Sequence, residues 1–296
     1  MIKNNENINQ YQNINNKIYY EIDIVKIIKN LKEFYNKKKL KKKEYLNIRT
    51  NSIKSLLKYS NIYHYSKKAF YLGIVYMDII FQSLSEDIIL NEKYEINIIN
   101  CIILAGKFYE DDLKSMSFER FIDYNENEFN FNIDNIAYNE IICLKLLNYR
   151  LNYYSIFDIL NLLLQYYMDV LLIQKDYNKN EIFNYSFNIL DNIILTDITI
   201  NYSFINIVFS LLYKANKNFN ICNNYLEQIN KKFNVKYSDY KECLENINYI
   251  LDLKNKIYYL DFNNKSNIIK KEENKDKIDI NKVYKYLFNL TNKNND

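Results

Sequence analysis

Apolar residues recur at intervals of three and four along most of this chain, in segments of about ten to eighteen residues separated by short polar stretches. Such spacing places the apolar side chains on one face of a helix. The pattern predicts a helix at about 21–36, two sets of five helices, and a short helix at about 280–291. The first set is predicted at about 48–60, 66–81, 93–109, 116–123 and 135–148. The second set is predicted at about 154–174, 180–195, 201–216, 221–232 and 237–253.

Turn-forming residues are scarce. The chain has two glycines, Gly73 and Gly106, and no proline. A sheet protein with many tight turns needs both residue types, and a phosphate-binding loop needs several glycines. The sequence therefore predicts an all-α fold without a nucleotide-binding loop.

Two bundles of five helices would divide the chain near 148–155, although no repeat between them is evident at the level of residues. We predict a disordered N-terminus at 1–17 and an N-terminal helix with a basic linker at 18–44. The first bundle is expected at 45–152 and the second at 153–253. Residues 254–296 are expected to form a C-terminal extension, with a charged linker at 262–279 before the last short helix.

Composition and charge restrict the class of protein. Hydrophobic residues make up 48% and charged residues 26%, which is typical of a folded domain. No apolar run approaches the roughly 20 residues of a transmembrane helix. The opening residues MIKNNENINQYQNINNK are too polar for a signal peptide, so we expect the cytosol or nucleus. A dispersed net charge of +4 does not indicate nucleic-acid binding. The abundance of Asn, Lys, Ile, Tyr and Phe indicates an AT-rich genome.

Metal-binding and catalytic chemistry lack their usual residues. The four cysteines (Cys101, Cys143, Cys222 and Cys243) form no CxxC pair, and we predict reduced, buried thiols. His64 is the only histidine and is expected to be an ordinary loop or helix-cap residue. One histidine is too few for a metal site or for a Ser/His/Asp arrangement. We therefore predict no metal, no cofactor, no small-molecule substrate and no enzymatic activity.

A carboxylate interrupts the apolar face of the helix predicted at 135–148. Glu140 has only apolar neighbours one and two helical turns away, namely Ile136, Ala137, Cys143, Leu144 and Leu147. A buried charge without a partner costs several kcal/mol. Its donor is therefore either a lysine of this chain or a group on another protein.

Lys107 is the complementary residue, because it closes the apolar segment INIINCIILAG. It could interact with the helix C-terminus, worth roughly 0.3–1 kcal/mol, or donate to a partner. Gly106 would let another backbone approach this point. Arg49 and Asp78 also stand out, because arginine is rare in this lysine-rich chain. They are either surface charges or a bidentate pair, a geometry that favours arginine over lysine.

These residues lie in segments that resemble the cyclin family. The stretch IRTNSIKSLLKYSNIYHYSKKAFYLGIVYMD is similar to the first two helices of the cyclin box, and INCIILAGKFYED resembles the third, which in cyclins ends much like LLASKFEE. The stretch NEIICLKLLNYRLNYYSIFDIL resembles the fifth helix of the cyclin box and the crossover that follows it. In the second half, FNYSFNILDNIILTDITINYSFINIVFSLLYKANK and KYSDYKECLENINYIL are similar to segments of a second box. The resemblance covers about 45–253.

The resemblance implies tandem five-helix cyclin-box bundles and a role for each charged residue. Arg49 and Asp78 would form an internal ion pair. Lys107 and Glu140 would bind main-chain groups beside the regulatory helix of a cyclin-dependent protein kinase, with Phe108 packed next to them. The protein would then be an activating subunit that controls cell division, located in the nucleus and cytoplasm. Together with the composition, the resemblance suggests an AT-rich protozoan parasite as its source.

Departures from the family pattern affect regulation. Ile48–Ser52 replaces the Met-Arg-Ala-Ile-Leu patch that docks substrates in many cyclins, and the common destruction signals are missing. The run KKKLKKK at 37–43 is either a solvated linker or a nuclear import signal. Two alternatives keep the fold: a cyclin-fold transcription factor, expected to carry a zinc ribbon and a broad basic face, and a scaffold that binds no kinase.

Overall fold

The computed structural model describes residues 43–84, 94–110, 133–171 and 178–268. Within these ranges the chain forms ten helices and no strand, which confirms the predicted all-α fold. The first four are α1 (Lys43–Ile62), α2 (Lys67–Ser83), α3 (Glu95–Tyr109) and α4 (Ile133–Leu146). The next six are α5 (Ile156–Leu171), α6 (Lys179–Ile193), α7 (Ile198–Asn201), α8 (Phe204–Asn218), α9 (Asn223–Lys232) and α10 (Tyr237–Ile268). None of these helices is long and apolar enough to cross a membrane.

Several predicted segments lie outside the described residues. They are the disordered N-terminus at 1–17 and the helices at 21–36, 116–123 and 280–291. The basic run at 37–43 also lies outside, except for Lys43, which begins α1.

The predicted start of the helix at 201–216 is wrong. The pattern predicted a single helix at 201–216, whereas the structure has the one-turn helix α7 followed by α8 from Phe204. Ser203 separates them, because its hydroxyl accepts a hydrogen bond from the backbone N–H of Asn206 and caps α8. Serine is a preferred N-cap residue, and this cap ends the apparent continuity of the apolar pattern.

Two helices extend into segments that were predicted as linkers. Helix α1 begins at Lys43 rather than near 48, and α10 continues to Ile268 rather than ending near 253. The polar composition of both segments favoured a linker. Neither segment contains glycine or proline, the residues that most strongly end a helix. Part of the predicted linker at 262–279 is therefore helical.

Each half is built around one largely buried helix. In the first half α3 packs against α1, α2 and α4, and its residues from Asn97 to Gly106 are all buried. In the second half α8 packs against α5, α6, α9 and α10. The two central helices explain why nearly uncharged segments occur at these positions, since a helix surrounded by others is apolar on every side.

Polar contacts from α1 and α2 to the end of α6 join the two halves. Arg49 donates to the Ile194 carbonyl at 3.3 Å, and the Thr50 hydroxyl donates to the Leu195 carbonyl at 3.2 Å. On α2, the Tyr71 hydroxyl donates to Asp191 at 2.8 Å. Helix α2 also packs directly on α5. The described part of the chain thus has an interface between halves with both apolar and hydrogen-bonded contacts.

Candidate partner-binding site

Arg49 and Asp78 meet between α1 and α2. Arg49 donates from Nε to Asp78 Oδ1 at 2.8 Å and from Nη2 to Oδ2 at 3.0 Å, which is the bidentate geometry specific to arginine. The side chains are 3% and 17% exposed, so neither is a surface charge. The third contact, to the Ile194 carbonyl, was not predicted, because nothing in the sequence indicates which carbonyl lies opposite the guanidinium.

Lys107 and Glu140 also meet, at the end of α3 and in the middle of α4. Lys107 Nζ lies 2.6 Å from Glu140 Oε1. The lysine side chain is 38% exposed and the carboxylate 15%, so the pair lies at the surface with the ammonium more accessible than the carboxylate. Of the two donors considered for Glu140, the structure places a lysine of the same chain in contact with it.

Large apolar side chains are exposed on the same two helices. Phe108 follows Lys107 at the end of α3 and is exposed. On α4, Tyr138 and Ile141 flank Glu140 in sequence and are also exposed. Exposed apolar groups beside a charged pair are typical of protein–protein contacts, in which aromatic side chains carry much of the binding energy.

The close approach at Gly106 differs from the prediction. A second backbone was expected there, but the structure has the aromatic ring of Tyr65, which follows the turn after α1. A Cβ atom on Gly106 would lie 2.4 Å from Tyr65 Cζ and 2.7 Å from its hydroxyl oxygen. Glycine is therefore needed because this ring crosses the last turn of α3.

Glu110 connects the end of α3 to the start of α2. Its Oε1 accepts a hydrogen bond from the backbone N–H of Ser66 at 2.6 Å. Ser66 is the N-cap of α2, and its own hydroxyl accepts from the N–H of Ala69. A carboxylate at a helix N-terminus is favoured by the helix dipole. Nothing in the sequence indicated this contact, which holds the chain just beyond Lys107 and Phe108.

A buried carboxylate at the start of α5 faces the same region. Asp158 Oδ2 accepts from the backbone N–H of Ser155 at 2.9 Å and from its hydroxyl at 2.7 Å, and Asp158 N–H donates back to that hydroxyl. This is a capping box, and the letters SIFD carry its S-x-x-D signature. Burial raises the pKa of Asp158, while the hydrogen bonds from Ser155 and the charge of Lys68 act in the opposite direction.

A polar network fixes α4 on α3. Asn139 donates to Asn97 Oδ1 at 2.8 Å, and buried Asn100 donates to the Ile136 carbonyl at 3.3 Å. The Cys143 thiol lies 3.6 Å from the same Asn97 oxygen. Burial, and secondarily the charge of Glu140, raises the pKa of Cys143 to about 12. The network determines the position of the helix that carries Glu140.

The remaining cysteines and the histidine have no part in this site. Cys101 and Cys243 are buried, as predicted, whereas Cys222 is exposed, so the prediction of a buried thiol is wrong there. Cys222 is the residue just before α9 and so lies at a helix boundary. His64 lies in the turn between α1 and α2 with a φ of 53°. Among the described residues, no three His, Cys, Asp or Glu side chains are grouped closely enough to hold a metal ion.

One comparison with known proteins found a match to a protein family. Residues 23–152 match the family model described as "Cyclin, N-terminal domain". A search of curated proteins found no match. The matched range contains both ion pairs, Phe108, and all of α1 to α4. Residues 23–152 are therefore similar to the N-terminal domain of cyclins.

Proposed function

We propose that this protein is a regulatory subunit that binds and activates a cyclin-dependent serine/threonine protein kinase through Lys107, Phe108 and Glu140. The observation that carries the proposal is the Lys107–Glu140 pair, held at the surface by α3 and α4 within the range that matches the cyclin N-terminal domain. Ammonium and carboxylate together can donate to a carbonyl and accept from an N–H of a foreign backbone.

The pair is arranged before a partner arrives. Lys107 and Glu140 contact each other at 2.6 Å, so each side chain is already restricted in its rotamers. Less side-chain entropy is then lost on binding than if both groups were solvated separately. Glu140 is mostly buried, so it changes little on contact, whereas the more exposed Lys107 can turn towards a partner.

The proposed role is a shift of a conformational equilibrium rather than a catalytic step. The protein would hold the regulatory helix of the kinase in the position that pairs its glutamate with the ATP-binding lysine. If the free kinase favours its inactive form by about 4 kcal/mol, binding must favour the active form by at least as much to reverse the populations. Exposed Phe108, Tyr138 and Ile141 provide apolar area for that preference.

Further parts of the proposal concern the second half and the cell. We take residues 153–253 as a second cyclin box, supported by five main helices (α5, α6, α8, α9 and α10) around a buried central one. A role in cell division, with a nuclear and cytoplasmic location, follows from the family resemblance.

The test is a kinase activation assay with purified protein and candidate cyclin-dependent kinases. Lys107→Ala and Glu140→Ala should each raise the half-maximal concentration about tenfold or more, because each removes one charged partner from a desolvated contact. The matched control is Lys67→Ala. Lys67 also forms an ion pair, with Asp191 at 2.5 Å, in which the side chains are 54% and 38% exposed.

A charge exchange separates a partner-binding pair from a merely structural one. The double variant Lys107→Glu with Glu140→Lys retains an ion pair between α3 and α4, so folding should be close to wild type. Activation should stay lost, because donor and acceptor have changed places relative to the kinase backbone. Recovery of activation by the exchange would refute the proposal. DNA binding with a steep salt dependence would instead support the transcription-factor alternative.

A further inference from the structure

The last turn of α3 is fixed by Glu110, the residue that follows the helix. Its backbone N–H donates to the Gly106 carbonyl at 2.8 Å, and this bond encloses Lys107 and Phe108. Its side-chain Oε1 accepts from the backbone N–H of Ser66 at 2.6 Å. One residue therefore both closes the turn that carries the two proposed contact residues and attaches that turn to the start of α2.

Consecutive residues between α1 and α2 contact this turn at its two ends. The Tyr65 ring covers Gly106, and the N–H of the next residue binds Glu110. Gly106 and Glu110 are four residues apart and so lie on one face of the helix. Lys107 and Phe108 follow Gly106 by about 100° and 200° around the helix axis, and both are exposed. One face of the turn is thus attached to the protein, and the residues that would meet the partner lie outside that face.

The position of the Glu110 carboxylate is explained by α2 rather than by α3. The backbone of Glu110 is extended, with a φ of −92° and a ψ of 155°, so α3 ends here. An acidic side chain is unfavourable at the C-terminal end of its own helix, where the dipole is negative. It is favourable at the N-terminal end of α2, whose N-cap is Ser66. The charge is therefore stabilised by the contact with α2.

From this geometry we propose that Glu110 is a positioning residue for the partner contact made by Lys107 and Phe108. Its bond to Ser66 keeps the last turn of α3 ordered in the free protein, so less order has to be gained on binding. The proposal rests on the proposed function. It makes partner affinity depend on a hydrogen bond between α3 and the start of α2 that the partner does not touch.

Glu110→Ala tests this role, because it removes the acceptor and leaves the backbone bond to Gly106 available. The matched control is Asp239→Ala. Asp239 Oδ2 likewise accepts from an exposed backbone N–H, that of Lys236 at 2.8 Å, at the start of α10 in the second half. Only Glu110→Ala should raise the half-maximal concentration for kinase activation, by about fivefold, which corresponds to about 1 kcal/mol for one hydrogen bond. Maximal activation should be unchanged, and Glu110→Gln, which retains an acceptor oxygen, should lie between Glu110→Ala and wild type.

Ser66→Pro removes the donor of the same hydrogen bond. Ser66 has a φ of −65°, which proline adopts, so the N–H is lost without a change of φ. Ser66→Ala is the control, because both variants lose the hydroxyl that accepts from the Ala69 N–H, and only Ser66→Pro also loses the donor to Glu110. Proline also restricts the preceding residue, so the comparison is repeated in the Glu110→Ala background. There Ser66→Pro should weaken activation no more than Ser66→Ala does.

Hydrogen exchange in the free protein measures the order of the turn without a kinase. The amide of Glu110 should exchange with solvent faster in Ser66→Pro than in Ser66→Ala, because the turn opens more often once its side-chain attachment is lost. The amide of Phe233 makes the same type of bond at the end of α9, to the Ile229 carbonyl at 3.0 Å. Its exchange should be equal in the two variants.

The outcomes distinguish this proposal from the function on which it rests. Weakened activation in Lys107→Ala together with equal behaviour of Glu110→Ala and Asp239→Ala refutes the positioning role and leaves the proposed function intact. Weakened activation in Glu110→Ala with equal behaviour of Ser66→Pro and Ser66→Ala also refutes it, because Glu110 would then meet the partner directly. Equal exchange of the Glu110 amide in both Ser66 variants refutes it as well. Unchanged activation in Lys107→Ala and Glu140→Ala refutes the proposed function, and the positioning role with it.

Discussion

Arg49→Met should destabilise the fold by about 3–5 kcal/mol, the usual cost of removing one partner from a buried ion pair. Methionine retains most of the apolar stem, so the loss is that of the guanidinium. Asp78, only 17% exposed, is left without its two bonds of 2.8 and 3.0 Å, and the Ile194 carbonyl loses its 3.3 Å donor. This change therefore weakens the contact of α1 with α2 and with the end of α6.

The double variant Arg49→Met with Asp78→Leu provides a more specific test, because its free energy of unfolding can be compared with that of each single variant. Replacing both members of a buried pair by apolar residues of similar size is often neutral, so only the Ile194 carbonyl remains unpaired, at a cost of about 1–3 kcal/mol. The double variant should accordingly be more stable than Arg49→Met alone. The two single changes should be far from additive.

The assay is urea-induced unfolding followed by far-ultraviolet circular dichroism, compared at the transition midpoint. Lys67→Met is the control, because its exposed pair with Asp191 should contribute at most about 1 kcal/mol. A loss below about 1 kcal/mol in Arg49→Met, or a double variant as unstable as the sum of its singles, would show that the pair does not support the interface as described.

Three further predictions concern other parts of the molecule. Gly106→Ala should cost about 1–3 kcal/mol of stability, because its Cβ would lie 2.4 Å from the Tyr65 ring, and the added cost should shrink in a Tyr65→Ala background when both are compared by thermal unfolding. Burial raises the pKa of Asp197 above its ordinary value of 3.8, so its contribution to stability is present below that value and lost as pH rises through the folded pKa. The stability of Asp197→Asn relative to wild type should therefore increase across that interval in urea titrations at stepped pH. A thiol reagent at pH about 8 should modify exposed Cys222 in the folded protein and not the three buried thiols, as counted by mass spectrometry; prompt reaction of all four would contradict the burial.

Much of the helical fold could be predicted, because a helix with one buried face has apolar residues at intervals of three and four in its own sequence. Helices α2 and α9 begin and end within about two residues of their predicted positions. The errors occur at the ends of helices, where a few individual residues determine whether a helix stops or continues. Ser203 ends the apolar continuity with a cap, and the absence of proline or glycine lets α10 continue through polar sequence. Apolar spacing carries no information about either effect.

The site was only partly predictable. Glu140 and Lys107 could each be identified as candidate binding residues from the pattern of their own helix, because a charge on or beside an apolar face requires a partner. Their contact across 33 residues of sequence depends on how α4 packs on α3, which the Asn97–Asn139 contact helps to determine.

The sequence by itself determined that the chain is helical, which faces of its helices are buried, and which few charged residues those faces cannot accept without a partner. Only the tertiary structure decided that Arg49 also reaches the Ile194 carbonyl, that Tyr65 covers Gly106, and that Lys68 lies over the Tyr109 ring while Phe108 is exposed. The physical reason is the separation in sequence between the residues that interact. Periodicity reports burial within one helix, whereas these contacts depend on the crossing angles and separations of helices distant in sequence.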